Sequence, residues 1–141
     1  MEPRVSLITL GVVDLRRSLV FYEAMGFRAS SLGGGEVFFL QAGAIGLVIW
    51  SRADLASDAG APEAGSGFRG IAIAHNVREE REVDEVLAAA EAAGGKITKQ
   101  AHQAPWGGRT GYFADPDGHL WEVAWNPHFP LDEKGALTLP P

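Results

Sequence analysis

The chain of 141 residues contains no cysteine. That absence excludes disulfides, zinc–thiolate sites, iron–sulfur sites and thiol nucleophiles together, so any metal would rest on His, Asp, Glu or water. Positive charge is also scarce: 12 Lys and Arg stand against 18 Asp and Glu, a formal net charge of −6. Nucleic-acid and anionic-membrane surfaces need the opposite balance, whereas a neutral or cationic ligand suits this one. No window approaches the roughly 18 apolar residues of a membrane span. The opening residues, MEPRVSLITL, lack the basic leader and apolar run of a secretory signal. The sequence therefore predicts a soluble, cytoplasmic protein without nucleic-acid or membrane partners. What it does have is apolar content, 46% of residues, enough to bury a core without covalent staples.

Periodicity divides the chain. Residues 4–13 are apolar and β-branched, and Asp14 can cap a helix whose Leu15, Leu19 and Tyr22 share one face, with Gly26 as its end. Three short apolar runs follow at 27–32, 36–41 and 45–50, separated by "GGG" and "AGA". Residues 51–67, rich in Gly, Ala, Ser and Asp, read as a linker. The same order then returns: a strand near 69–75, Asn76 as a cap, a helix near 79–93, and strands near 96–100, 109–114 and 119–125. This predicts an α+β protein made of two βαβββ modules, 1–50 and 68–126, with an extended tail from 127 to 141. Each module has one helix for an open sheet, so the other face needs a second cover. Two facing modules would enclose a cleft, and the open edges predict a homodimer.

Three stretches carry a family resemblance: "LGVVDLRRSLVFYEAMGF" at 10–27, "EAAGGKI" at 91–97 and "WGGRTGYFADPDGHLWEVAWNP" at 106–127. With the repeated βαβββ order, the chain resembles the vicinal oxygen chelate superfamily of glyoxalases, bleomycin-resistance proteins, fosfomycin-resistance enzymes and extradiol dioxygenases. The resemblance implies a cup-shaped sheet, within one chain or by exchange between two. It also implies four inward metal-ligand positions, one on the first and last strand of each module. Carried over one at a time, these fall on Leu7, Leu47, Gly70 and Glu122. Only Glu122 offers a donor, because a divalent ion needs several oxygen or nitrogen atoms. The expectation is a site with no metal and no cofactor.

Glu122 is a lone acid on an apolar strand, "LWEVAW". In "DPDG", Pro116 and Asp117 suit the centre of a turn and Gly118 its left-handed residue, which would set Tyr112 opposite Glu122, whereas a two-residue turn would pair Glu122 with Gly111. A charged carboxylate there needs hydrogen bonds or an ion pair. Glu122 is thus a candidate general base or cation anchor, with Tyr112 donating to a ligand oxygen. The alternative is a residual acid satisfied by Arg109, a backbone amide or water. Trp106 is a candidate to stack on a planar ligand, and Arg109 to bind a ligand carboxylate or pair with Glu122 or Asp115. Leu7, Thr9, Leu47 and Ile49 are the expected apolar lining. His75, His102, His119 and His128 have no compact metal-ligand spacing, and no phosphate loop is present. Two functions follow: a metal-independent binder of a small hydrophobic or aromatic molecule, or a glyoxalase-like lyase, isomerase or epimerase with Glu122 as base.

Overall fold

The computed structural model describes residues 6–65, 67 and 71–137. They fall in two units, Met1–Arg69 and Gly70–Pro141. In the first unit β1 (Leu7–Val12) leads to α1 (Leu15–Ala24), followed by β2 (Val37–Ala42), β3 (Ile45–Ser51) and α2 (Arg52–Asp58). The sheet order is β1-β3-β2, with β1 parallel and β2 antiparallel to β3. Asp14 caps α1 as its position predicts, accepting from the Arg17 amide at 2.9 Å. Leu19, Phe21 and Tyr22 are buried from that helix, and they cover the sheet face that carries Leu10, Val12 and Leu40.

Two sequence expectations change in this unit. Residues 27–32 do not form a full strand, and only an isolated bridge between Ala29 and Leu40 joins them to β2. Gly33, Gly34 and Gly35 all have positive φ and turn the chain before a ladder can lengthen. The segment 51–67 is not linker throughout, because α2 forms within it. Ser51 accepts from the Asp54 amide at its start, and Asp54 lies in the first turn. This helix sits on β1 at Gly11, where an added Cβ would meet Arg52 Cα at 3.2 Å and Leu55 Cδ2 at 3.3 Å. A side chain at Gly11 would push the helix off the sheet.

The second unit runs β4 (Ile73–Asn76), α3 (Glu82–Ala92), β5 (Lys96–Gln103), β6 (Arg109–Ala114) and β7 (Leu120–Trp125). Its sheet order is β4-β7-β6-β5, with β4 parallel to β7 and the other pairs antiparallel. In both units the first strand therefore lies parallel beside the last. That shared topology is the expected βαβββ duplication, complete in the second unit and short of one strand in the first. Asn76 stays in β4 and does not cap α3. The Glu82 carboxylate serves the helix start instead, accepting from the Arg78 and Glu79 amides at 2.8 and 2.7 Å.

Val83, Leu87 and Ala90 of α3 are buried. They pack on the sheet face that carries Gly111, where a Cβ would meet Leu87 Cδ1 at 2.5 Å. Phe113 and Trp121 stack on this same face with ring centroids 6.1 Å apart. The tail, expected to be extended, is tied down in its described part. The Arg78 guanidinium donates to the Leu131 and Asp132 carbonyl oxygens at 3.3 and 2.6 Å, and Leu131 bridges Leu137. Among the described residues no helix is long and apolar enough to cross a membrane.

Candidate functional site

The β6–β7 hairpin positions the site. The Gly118 amide donates to the Asp115 carbonyl at 3.0 Å, the Asp115 amide donates to the His119 carbonyl at 2.9 Å, and Gly118 takes φ 90°. The turn is thus the three-residue loop that its Pro-Asp-Gly sequence predicts. The Asp115 carboxylate is buried and accepts from the Asp117 amide at 2.9 Å and the His119 amide at 2.8 Å, and it lies 2.8 Å from His119 Nδ1. Such a turn sets the register, and Tyr112 lies opposite Glu122.

Side chains alternate across the sheet. Gly111, Phe113, Trp121 and Val123 take the α3 side. Thr110 and Tyr112 of β6, Leu120, Glu122 and Ala124 of β7, and Ala74 and Asn76 of β4 take the open side. The Glu122 carboxylate there is held by the Thr110 hydroxyl and faces the Tyr112 phenol. Thr110 Oγ1 donates to Glu122 Oε1 at 2.8 Å, and Tyr112 is the residue directly opposite Glu122 on the neighbouring strand. Burial, then the neighbouring Glu122 carboxylate and its negative charge, push the Tyr112 hydroxyl above its ordinary pKa, so the phenol stays protonated. Thr110 was not among the residues expected here. Its signal was the period of two, which puts it beside Tyr112 on one face.

The other expected residues divide. Arg109 does not meet Glu122 or Asp115. It lies on the α3 side and grips Asp84 through two hydrogen bonds, Nε at 2.8 Å and Nη2 at 2.9 Å. Its odd position on β6 turns it to the helix. Trp106 tips the β5–β6 turn, 43% exposed. An added Cβ at Gly108 would collide with its ring and with the Trp125 carbonyl. The indole therefore packs against Gly108, just before β6.

In the first unit, Leu7 and Thr9 share the face opposite α1, and Leu7 is 52% exposed. Leu47 and Ile49, expected beside them, lie on the other face, 2% and 0% exposed in the core under α1. The parallel register pairs Leu7 with Gly46 and Thr9 with Val48, and an offset of one residue reverses a strand's facing. Gly70 lies outside the described residues.

The resemblance implies a chelated metal, and the residues present do not fit one. Leu7 and Leu47 bring no donor atom, and neither does Val48, the neighbour that the register favours. Among the described residues, no three His, Asp or Glu side chains gather as a metal site would require. The histidines are dispersed: His75 is on β4 in register with Val123, His119 is in the hairpin turn, and the His128 amide donates to Asn126 Oδ1.

Fold and site together define a duplicated βαβββ protein with a hydroxyl-held carboxylate on an open sheet face. The chain belongs to the Glyoxalase/Bleomycin resistance protein/Dioxygenase superfamily, whose family model matches residues 4–123. It is similar to the crystal structure of a glyoxalase-related enzyme from Fulvimarina pelagi, at 38% identity, 99% coverage of each chain and a TM-score of 0.89. Two more distant structures share the fold alone. One is a family enzyme from Burkholderia phytofirmans PsJN, at 17% identity, TM-score 0.74, covering 85% of this chain and 96% of that one. The other is a lactoylglutathione lyase from Agrobacterium tumefaciens, at 23% identity, TM-score 0.67, covering 89% of this chain and 95% of that one. No curated protein matches the chain significantly.

Proposed function

We propose that this protein binds a small aromatic or hydrophobic organic molecule without a metal, on the open sheet face of its second unit. The observation that carries this reading is Glu122 itself. Its carboxylate is held by Thr110 and lies opposite Tyr112, among Leu120, Ala74 and Ala124. Affinity in such a site comes from apolar burial, with a few fixed polar groups setting orientation. A thermal-shift screen of aromatic metabolites and antibiotics, run with and without chelator, tests it. Saturable stabilisation that survives chelation and weakens in Glu122→Gln supports the reading. Binding that disappears with chelator, or no ligand at all, overturns it. A homodimer in the cytoplasm belongs to the same reading, supported by the edge strands that end each sheet and by the absence of cysteine.

The Tyr112–Glu122 pair favours a second reading, that of a lyase, isomerase or epimerase. A fixed carboxylate beside a protonated phenol is an acid–base pair: Glu122 would take the proton next to a carbonyl, and Tyr112 would donate to the developing enolate oxygen. The similarity to a glyoxalase-related enzyme points the same way. Under this reading, Glu122→Gln abolishes exchange of the ligand's acidic hydrogen with deuterated water while leaving binding nearly intact. Exchange that persists in that variant excludes Glu122 as the base.

A further inference from the structure

Two irregularities in β5 add a feature to the open face that strict alternation would not produce. Ile97 pairs with Phe113 on the α3 side, so an unbroken strand would put Lys99 on that side too. A register shift between Ile97 and Lys99 instead pairs Lys99 with Tyr112. A second shift, between Lys99 and His102, pairs His102 with Thr110. Paired residues share a face, so both bulges are needed to bring these two basic side chains to the open side. The result is two rows across the sheet. Lys99, Tyr112, Glu122 and Ala74 form one, and His102, Thr110, Ala124 and Asn76 form the other. An edge lysine that only discourages strand pairing would serve at any exposed position and would require neither shift.

His102 is also oriented. Its Nδ1 lies 3.0 Å from the Gln100 carbonyl, which can only accept, so Nδ1 carries the hydrogen. That leaves Nε2 to meet a ligand, and it donates to a carboxylate in the imidazolium form, in which both ring nitrogens carry hydrogen. The basic end and the acidic end of the face are one strand apart, about 10 Å between the backbones of β5 and β7 by ordinary strand spacing. Tyr112 and Thr110 lie between the two ends, so a ligand that engages both ends is an extended molecule with a polar group at each.

We infer that Lys99 and His102 are the specificity-determining residues of this face. They would select an aryl carboxylate whose acid group seats between them and whose hydroxyl or amino group, across the ring, donates to Glu122. This inference rests on the ligand-binding reading above and names the class of ligand. The acid finds two basic groups, the donor finds a carboxylate already positioned by the Thr110 hydroxyl, and the ring lies over Tyr112 and Thr110. An ester or amide of the same ring would lose the basic end and keep the rest.

Calorimetric titration with 4-hydroxybenzoate, 4-aminobenzoate and their methyl esters tests the selection. The acids should bind about tenfold tighter than their esters, the worth of one charge-assisted hydrogen bond. Lys99→Met and His102→Gln should each reduce that ratio toward one by weakening the acid alone, with ester affinity unchanged. Lys134→Met removes the same charge from the tail and should leave the ratio intact. Circular dichroism and melting of each variant separate a lost site from a lost fold, and two independent variants guard against one failing to fold. Equal binding of acids and esters to the wild type overturns the inference while the ligand-binding reading stands. No binding of any acid or ester overturns the inference, and the wider screen then decides the underlying reading.

Discussion

Thr110 and Glu122 are joined across adjacent strands by a 2.8 Å hydrogen bond from hydroxyl to carboxylate. Thr110 is almost fully buried. The bond explains how an acid is tolerated on an apolar strand, and it makes the hydroxyl as important as the acid. Thr110→Val, which keeps the shape and loses the donor, should lower unfolding free energy by about 1–2 kcal/mol, while Thr110→Ser should lower it less. Urea denaturation reads the difference, and equal midpoints for the two variants would refute the role of the hydroxyl.

The Tyr112 phenol provides a pH-dependent signal. Its folded pKa is raised, first by burial and then by Glu122. The associated stability is therefore fully present below the ordinary tyrosine value near 10 and is lost as pH rises through the raised value. Only two tyrosines are present, so the tyrosinate absorbance of wild type minus Tyr112→Phe isolates this group. In Glu122→Gln its titration should move down toward, without reaching, the ordinary value, because burial remains. An unmoved titration would separate Tyr112 from Glu122.

Arg109 and Asp84 form a two-pronged pair on the α3 side, with side chains 23% and 55% exposed. A pair half open to solvent couples weakly, by about 0.5–1 kcal/mol. A double-mutant cycle of Arg109→Ala with Asp84→Ala should find that coupling at low salt and lose most of it in concentrated sodium chloride. The same Arg109→Ala variant should keep its ligand affinity, because the guanidinium is on the face away from Glu122.

Gly111 marks where α3 rests on β6. A methyl group there would lie 2.5 Å from Leu87 Cδ1, 3.0 Å from the Ala101 nitrogen and 3.1 Å from Ala101 Cα. The Leu87 side chain can turn aside, but the backbone of β5 cannot. Gly111→Ala should cost about 1–3 kcal/mol, read as an earlier denaturant midpoint with unchanged slope.

Asp115 organises the hairpin that aligns the site. Asp115→Ala removes the acceptor of two backbone amides and the partner of His119 from a buried position. It should destabilise by about 2–3 kcal/mol. Asp115→Asn keeps one oxygen acceptor and should recover part of that loss. Full stability in the alanine variant would mean that Pro116 and Gly118 suffice to set the register.

The sequence by itself determined the α+β class, the repeated βαβββ order, the Asp14 cap and the Pro-Asp-Gly turn, and it narrowed the partner of Glu122 to Tyr112 or Gly111. These are local: each depends on a cap, a turn geometry or a period read over a few residues. Tertiary structure decided the rest. Leu47 and Ile49 look like any apolar lining residues until the β1–β3 register assigns their face. Arg109 could reach either side until parity and Asp84 draw it to α3. Residues 51–67 had a linker's composition, yet α2 forms there because Gly11 opens a seat for it on β1. Lys99 and His102 gave no local signal of their position, since a bulge is a relation between two strands and is encoded in neither alone. Their place beside Tyr112 and Thr110 follows only when β5 pairs with β6, because that pairing sets which side chains meet.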